Sequence, residues 1–341
     1  MIKPLLITMG DPSGTGPELA VKAWLKLRNT ASAFAIIGDA DPFNRALKSM
    51  GAGPSVKVIN SPSEATACFP IALPIIQSVK LSEPAVQGIP NKNNAMAIID
   101  AIKHAIEHVA NGRAKAIVTL PIAKSVLYDA GFPFAGHTEF IANEIQNMPF
   151  NHARGPVMML AIPGLKVALA TIHEPLSKVP TLLSIERIVD VVRVVGSSLK
   201  NDFGVPNPRI GLLGLNPHAG ENGAIGDEEA RIINPAAQLL REGGIDCSDA
   251  LPADSAFAPH LREKFDCFIA MYHDQGLIPI KAIDFWGGVN ITLGLPIIRT
   301  SPDHGTGFDI AGKNIANEES LLAAIKTASY LSENRAKNNG L

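Results

Sequence analysis

Short apolar runs closed by glycine, proline or polar turn residues alternate along the chain with stretches of helical spacing. The runs predict strands over residues 4–9, 34–37, 116–120, 157–162, 166–171, 210–215 and 267–272, since a few apolar residues bounded by turn signals suit a buried strand. A helix is expected to start near Pro17 and run through Leu19, Ala20, Ala23 and Trp24, proline being suited to the first helical position. Another is expected over 94–109, where Ala95, Ile98, Ile99, Ile102, Ile106 and Val109 share one face. Asn94 is placed to cap its start and Gly112 its end. Further helical patterns cover 140–145, 182–195, 228–242 and 319–331. Residues 54–90, rich in proline and serine, read as short strands and loops. Residues 299–313, polar and rich in glycine, read as a functional loop rather than a core element, and 332–341 as a frayed tail.

Strands alternating with helices predict an α/β fold with parallel sheets. Two glycine-rich stretches, at 10–18 and around 305, lie far apart in sequence and both read as cleft walls. The expectation is therefore two α/β/α domains with a cleft between them. The first would combine residues 1–130 with 302–341, and the second would hold 131–301. A length of 341 residues accommodates this, at ~150 residues per domain. Composition sharpens the picture in three ways. Hydrophobic residues make up 46% and aromatics only 5%, which suits aliphatic strands covered on both faces. A net charge of −2 with no basic block excludes nucleic acid as a partner. Three widely spaced cysteines, Cys68, Cys247 and Cys267, form no framework and point to a reducing, cytoplasmic setting. The N-terminal apolar run is too short for a signal peptide, and no run is long enough to span a membrane.

Candidate chemistry gathers just past strand ends, where ligands bind in open α/β sheets. His173, His218 and His273 each follow an expected strand. Singly, such a histidine is more often structural. Jointly they are the right number and type for a divalent metal with an open position. They are too far apart for a small zinc module, so they could converge only through tertiary or quaternary structure. His273 opens a His273-Asp274-Gln275-Gly276 cluster that reads as a site, or else as a turn in which His273 caps a backbone group. His104 and His108 stand i,i+4 without a third ligand and read as a solvated face. Residues 10–18 have the strand–glycine loop–helix order of an anion site but lack the Lys-Ser/Thr of a P-loop. The bland alternative is a tight turn that needs glycine. Gly136-His137-Thr138-Glu139 places polar groups at a helix start, where N–H groups face an anion, or where Thr138 simply caps. Lys281 and Arg299 offer a point charge and a planar fork to a phosphate.

Residues 10–18, 136–140, 216–220, 251–254, 271–277 and 288–306, in this order and over nearly the whole chain, together resemble the 4-hydroxythreonine-4-phosphate dehydrogenase family. Residues 304–313 also resemble the cofactor loop of isocitrate and isopropylmalate dehydrogenases, to which that family is related in fold. The resemblance implies NAD- or NADP-linked oxidation of 4-phosphooxy-L-threonine, with decarboxylation to 3-amino-2-oxopropyl phosphate on the route to pyridoxal phosphate. It implies metal ligands His173, His218 and His273 for zinc, cobalt, manganese or magnesium, at a homodimer interface where the partner donates one histidine. His173 is the residue expected to stand on a different subunit from the other two. The substrate and its phosphate fall to His137, Thr138, Lys281, Asn290 and Arg299, and the cofactor to His304, Gly305, Asp309 and Gly312. Asp254 and Asp274 are candidates for proton transfer or for orienting a ligand.

The chain departs from the family pattern at Thr15, where Ile is usual, and at Ala123, where a polar residue, commonly Asn, precedes the lysine. Phe285-Trp286-Gly287 is also bulkier than the usual link. These changes spare the metal and phosphate residues and bear on the other end of the substrate. The rival readings are therefore the same chemistry on 4-phospho-D-threonate or 4-phospho-D-erythronate, or a non-catalytic phosphometabolite-binding protein. A nucleotide-dependent kinase is disfavoured by the missing P-loop lysine.

Overall fold

The computed structural model describes residues 3–338 apart from 52, 54 and 135. Among these residues twelve strands form in chain order: β1 Leu5–Thr8, β2 Phe34–Gly38, β3 Val56–Ile59, β4 Leu73–Gln77, β5 Ile117–Thr119, β6 Val157–Ile162, β7 Leu165–Leu169, β8 Arg209–Leu213, β9 Asp246–Leu251, β10 Cys267–Ala270, β11 Val289–Leu293 and β12 Arg299–Pro302. The chain divides into two compact units. One takes residues up to Met148 and Pro296–Ser332, and the other Pro149–Leu295 and the residues from Glu333 on. The bounds differ from 1–130 and 302–341 for physical reasons. The helix His137–Glu144 packs on the helix Ala95–Ala110, which keeps residues past 130 in the first unit. The chain returns to that unit before β12, because β12 is one of its strands.

The first unit holds a sheet ordered β3-β4-β2-β1-β5-β12, parallel throughout. β1 and β2 are buried along their whole length, as strands covered on both faces must be. The helix Gly16–Leu27 follows β1 with Pro17 in its first turn and buries Trp24, whose Nε1–H donates to the Phe69 carbonyl at 2.8 Å. The helix Asp41–Ser49, unforeseen in the sequence pattern, buries Phe43, Ala46 and Leu47. The expected helix near 94–109 runs over Ala95–Ala110. Asn94 does not cap it. The Asn94 side chain turns to residue 83 instead, accepting from the Glu83 N–H and donating to the Glu83 carbonyl. Gly112 ends the helix at φ +67° while the Arg113 N–H returns to the His108 carbonyl, the left-handed stop that glycine permits.

The second unit holds β11-β6-β7-β10-β8-β9. β11 and β6 and then β6 and β7 pair antiparallel, and the remaining pairs run parallel. Leu160, Val167, Leu213, Phe268 and Ile280 lie in its core. The parallel run β7-β10-β8 sets three carboxyl ends side by side.

Two expectations are corrected. Residues 299–302 are a buried strand and not a loop. Their polar side chains are satisfied from within: Arg299 donates to Thr119 Oγ1, and the Thr300 hydroxyl to the Ala324 carbonyl. The tail is not frayed through 338, because the last helix continues over Glu319–Asn338. Arg335 holds it down, its Nε and Nη2 meeting the two carboxylate oxygens of the buried Asp202 at 2.6 and 2.8 Å and its Nη1 the Leu295 carbonyl at 2.9 Å. All three cysteines are free and buried, and burial pushes the Cys247 and Cys267 thiols up to about 11 and about 12.

Removing one partner of a buried bidentate pair strands the other charge. Arg335→Ala should therefore destabilise the fold by about 3–5 kcal/mol, read from the denaturant midpoint and slope. A loss under about 1 kcal/mol, the range of exposed pairs, would show that Asp202 finds water instead.

Candidate active site

The carboxyl ends of β7 and β10 are tied together. The Ala170 N–H donates to the Ala270 carbonyl at 2.8 Å, and the Thr171 hydroxyl to the Met271 carbonyl at 2.7 Å. This places His173 and His273 close, with ring centroids 5.5 Å apart. His273 does not cap a turn. It is the first residue of the helix His273–Ile283, with Tyr272 at the cap position. Its Nδ1 meets Asp274 Oδ1 at 2.8 Å, the carboxylate–histidine contact that orients a ring and leaves Nε2 for a metal. Both rings border a cavity of about 250 Å³, with Glu174 and Asp274 as its carboxylates and Ile172, Leu176 and Val179 as its apolar wall. Two imidazoles, one of them already oriented, with oxygen donors at hand, are a donor set that fits a divalent cation. Glu174 was not singled out in the sequence, although it directly follows His173.

Among the described residues no three His, Cys, Asp or Glu side chains are grouped to hold a metal. Within one chain His173 and His273 are brought together, and His218 lies on the segment that follows β8. The backbone around His218 is unusual. His218, Ala219, Gly220, Glu221 and Asn222 all take positive φ, and each such non-glycine residue costs roughly 1–2 kcal/mol. Glu229 holds this turn in place. It is 4% exposed, its Oε1 accepts from the Leu215 and Asn216 N–H groups at 2.8 Å each, and its Oε2 accepts from Asn216 Nδ2 at 3.0 Å.

In the same unit Lys281 lies in the last turn of the helix begun by His273, its Nζ 5.4 Å from the Phe285 ring centre. Asn290 sits in β11 opposite Leu160 and is no turn former. Its Oδ1 is sealed from solvent without a hydrogen-bond partner, a cost that a bound donor would relieve. Asp254 is exposed in the short helix Ala253–Ala256.

The first unit carries the other substrate candidates. Arg299 is 3% exposed and donates from Nε and Nη2 to Thr119 Oγ1, and burial pushes its pKa down to about 10. Thr138 lies inside the helix His137–Glu144 and makes no capping bond, and the cap position is Gly136. The Nε2 of His137 is sealed without a partner. Burial, then the Arg299 and Lys124 charges, hold His137 well below the usual histidine value. A neutral imidazole beside two cations makes a field suited to an anion. Lys124 and Thr119 were not among the expected site residues. A cation just past the end of β5 was the available signal for Lys124.

Residues 304–313 pack on the glycine loop of the same unit. The Thr15 N–H and hydroxyl both donate to the Thr306 carbonyl, at 2.8 and 3.1 Å. A Cβ on Gly14 would lie 2.7 Å from that carbonyl oxygen. Glu18 accepts from the Ala316 N–H and from Lys22, which also holds the Asn314 and Ala316 carbonyls. Residues 10–18 therefore spend the N–H of the cap residue Thr15 and the space at Gly14 on the loop that carries His304, Gly305, Asp309 and Gly312. They scaffold that loop, and the tight-turn account of their glycines holds at Gly10, whose φ is +66°.

A model of the family described as pyridoxal phosphate biosynthetic protein PdxA matches residues 30–328. The chain belongs to the PdxA family. It is 48% identical to the 4-hydroxythreonine-4-phosphate dehydrogenase of Caulobacter vibrioides over 333 residues, 98% of each chain. It is 46% identical to that of Maricaulis maris, covering 98% of this chain and 99% of the relative. The crystal structure of the Klebsiella pneumoniae 4-hydroxythreonine-4-phosphate dehydrogenase superposes with a TM-score of 0.85 at 36% identity, over 97% of this chain and 98% of that one. The α/β fold is thus a PdxA-family fold over nearly its whole length.

The His137 pKa gives this PdxA-family chain an acid-side signature. The unfolded chain takes up this proton near the ordinary value of about 6.5, while the folded chain resists it. Stability therefore falls as pH drops below about 6.5, because the unfolded state binds more protons. His137→Gln should make the fall in thermal midpoint between about pH 7 and pH 5 shallower than in the parent. Parallel curves would show that His137 is solvated and titrates normally.

Proposed function

We propose that this chain oxidises the secondary alcohol of 4-phosphooxy-L-threonine with NAD or NADP, the β-keto acid then losing carbon dioxide to give 3-amino-2-oxopropyl phosphate for pyridoxal phosphate biosynthesis. The observation that carries this is the match to a 4-hydroxythreonine-4-phosphate dehydrogenase along 98% of both chains. The site residues accord with it. The substrate and its phosphate fall to His137, Thr138, Lys281, Asn290 and Arg299. The orphaned Oδ1 of Asn290 calls for a polar ligand, since burying such a group unpaired is costly, and the buried Arg299 supplies a positive charge for a phosphate.

The metal would be held by His173, His218 and His273, with one of the three donated by a partner subunit. When bound, it polarises the alcohol oxygen and steadies the negative charge that develops there. Asp274, engaged with His273, orients that ligand, and proton transfer is assigned to Asp254. Residues 304–313, braced by the glycine loop, are assigned the nicotinamide cofactor through His304, Gly305, Asp309 and Gly312. No helix among the described residues is long and apolar enough to cross a membrane, and three free buried thiols accord with a cytoplasmic setting.

Absorbance at 340 nm should rise with NAD+ or NADP+, a divalent metal and 4-phosphooxy-L-threonine, and rise less with 4-phospho-D-threonate or 4-phospho-D-erythronate. A faster rate with either acid would reassign the substrate. No rate with any of them would favour a binding protein.

EDTA should abolish turnover, and zinc, cobalt, manganese or magnesium should restore it. Full activity after exhaustive chelation would remove the metal from the reaction. Arg299→Lys, which keeps a charge but loses the fork, should lower kcat/KM about 10- to 150-fold, or ~1.5–3 kcal/mol, with NAD+ affinity little changed. An unchanged kcat/KM would take Arg299 out of the phosphate site.

A further inference from the structure

β7, β10 and β8 are neighbours in the parallel part of the second sheet, and the segments leaving them carry His173, His273 and His218. The first two strand ends are joined by the Ala170–Ala270 and Thr171–Met271 hydrogen bonds. Between the ends of β10 and β8 a side chain makes the connection. Gln275 accepts the Met271 N–H on Oε1 at 2.7 Å and donates from Nε2 to the Gly214 carbonyl at 2.6 Å. One partner is a backbone donor and the other a backbone acceptor, so the amide has a single satisfying orientation. Gly214 is the first residue past β8. The next two, Leu215 and Asn216, are held by Glu229, and the left-handed turn bearing His218 begins two residues later. Met271 is two residues before His273. One amide thus fixes both the point at which the His218 segment leaves the sheet and the point at which the His273 helix begins.

We propose that Gln275 is a positioning residue of the metal site, its amide clamping the β8 and β10 ends so that His218 and His273 are presented in fixed directions. The inference rests on the assignment of these histidines as metal ligands. Gln275 touches neither ring. It acts through Gly214 and Met271, and its loss should loosen the metal more than it loosens the fold.

The test uses the full chain, freed of metal, with zinc as the probe and a chromophoric chelator as competitor. Gln275→Glu keeps an acceptor for the Met271 N–H but sets a second oxygen against the Gly214 carbonyl. Gln275→Met keeps the length and removes both bonds. Both variants should bind zinc about 10-fold or more weakly, the usual scale for groups that orient metal ligands. Their kcat should be low at limiting zinc and recover as zinc is raised, while KM for the nicotinamide cofactor stays at the parent value. A folded variant whose zinc Kd lies within about twofold of the parent, even with a lowered metal-free thermal midpoint, would overturn the proposal and leave Gln275 a stabilising residue only. If Gln275→Met fails to fold, Gln275→Glu carries the test. His273→Ala separates the two levels. If the parent and His273→Ala bind zinc alike, the ligand assignment itself falls. If His273→Ala loses zinc but Gln275→Glu does not, only the clamp falls.

Discussion

A polar side chain taken out of water must find a partner, and leaving it without one costs on the order of 1–3 kcal/mol. This constraint organises both units at the ends of their strands. Arg299 enters a fully buried strand because Thr119, on the neighbouring strand, takes its donors. Thr171 closes β7 onto β10, Glu229 is consumed by two backbone N–H groups and an amide, and Asp202 is neutralised by Arg335. The exceptions are scattered, from Thr8 and Asp11 to His104 and His108, and two of them fall in the candidate site. The Nε2 of His137 and the Oδ1 of Asn290 are sealed without partners, and both belong to residues the PdxA-family resemblance assigns to substrate.

What could be read from the sequence was local. An apolar run followed by a histidine can be seen within ten residues, so β7, β8 and β10 and the three histidines were all placed. What failed depended on distant partners. Residues 299–302 look like a turn until Thr119 and Ala324 are in view. The tail looks frayed until Arg335 meets Asp202, and Asn94 looks like a cap until Glu83 takes its amide. The turn at His218 was equally illegible. It holds five consecutive positive φ angles, and of those residues Gly220 and Asn222 are the types that most favour that conformation.

The glycine loop shows how a conspicuous motif can serve as a brace. Its order resembles a phosphate cradle, yet the Thr15 N–H faces the Thr306 carbonyl and the space at Gly14 is taken by the same oxygen. The brace extends through Glu18 and Lys22 to residues 314 and 316, so one helix start organises a segment nearly three hundred residues away.

The sealed thiols have a practical corollary. Thiolates are the reactive form of cysteine, and all three native ones are both covered and, for Cys247 and Cys267, protonated far above neutral pH. A cysteine engineered onto the surface would thus react ahead of them, with no need to strip the native ones first. A fluorophore or spin label set at Ala224, just past the left-handed turn, would report on the His218 segment against a silent background.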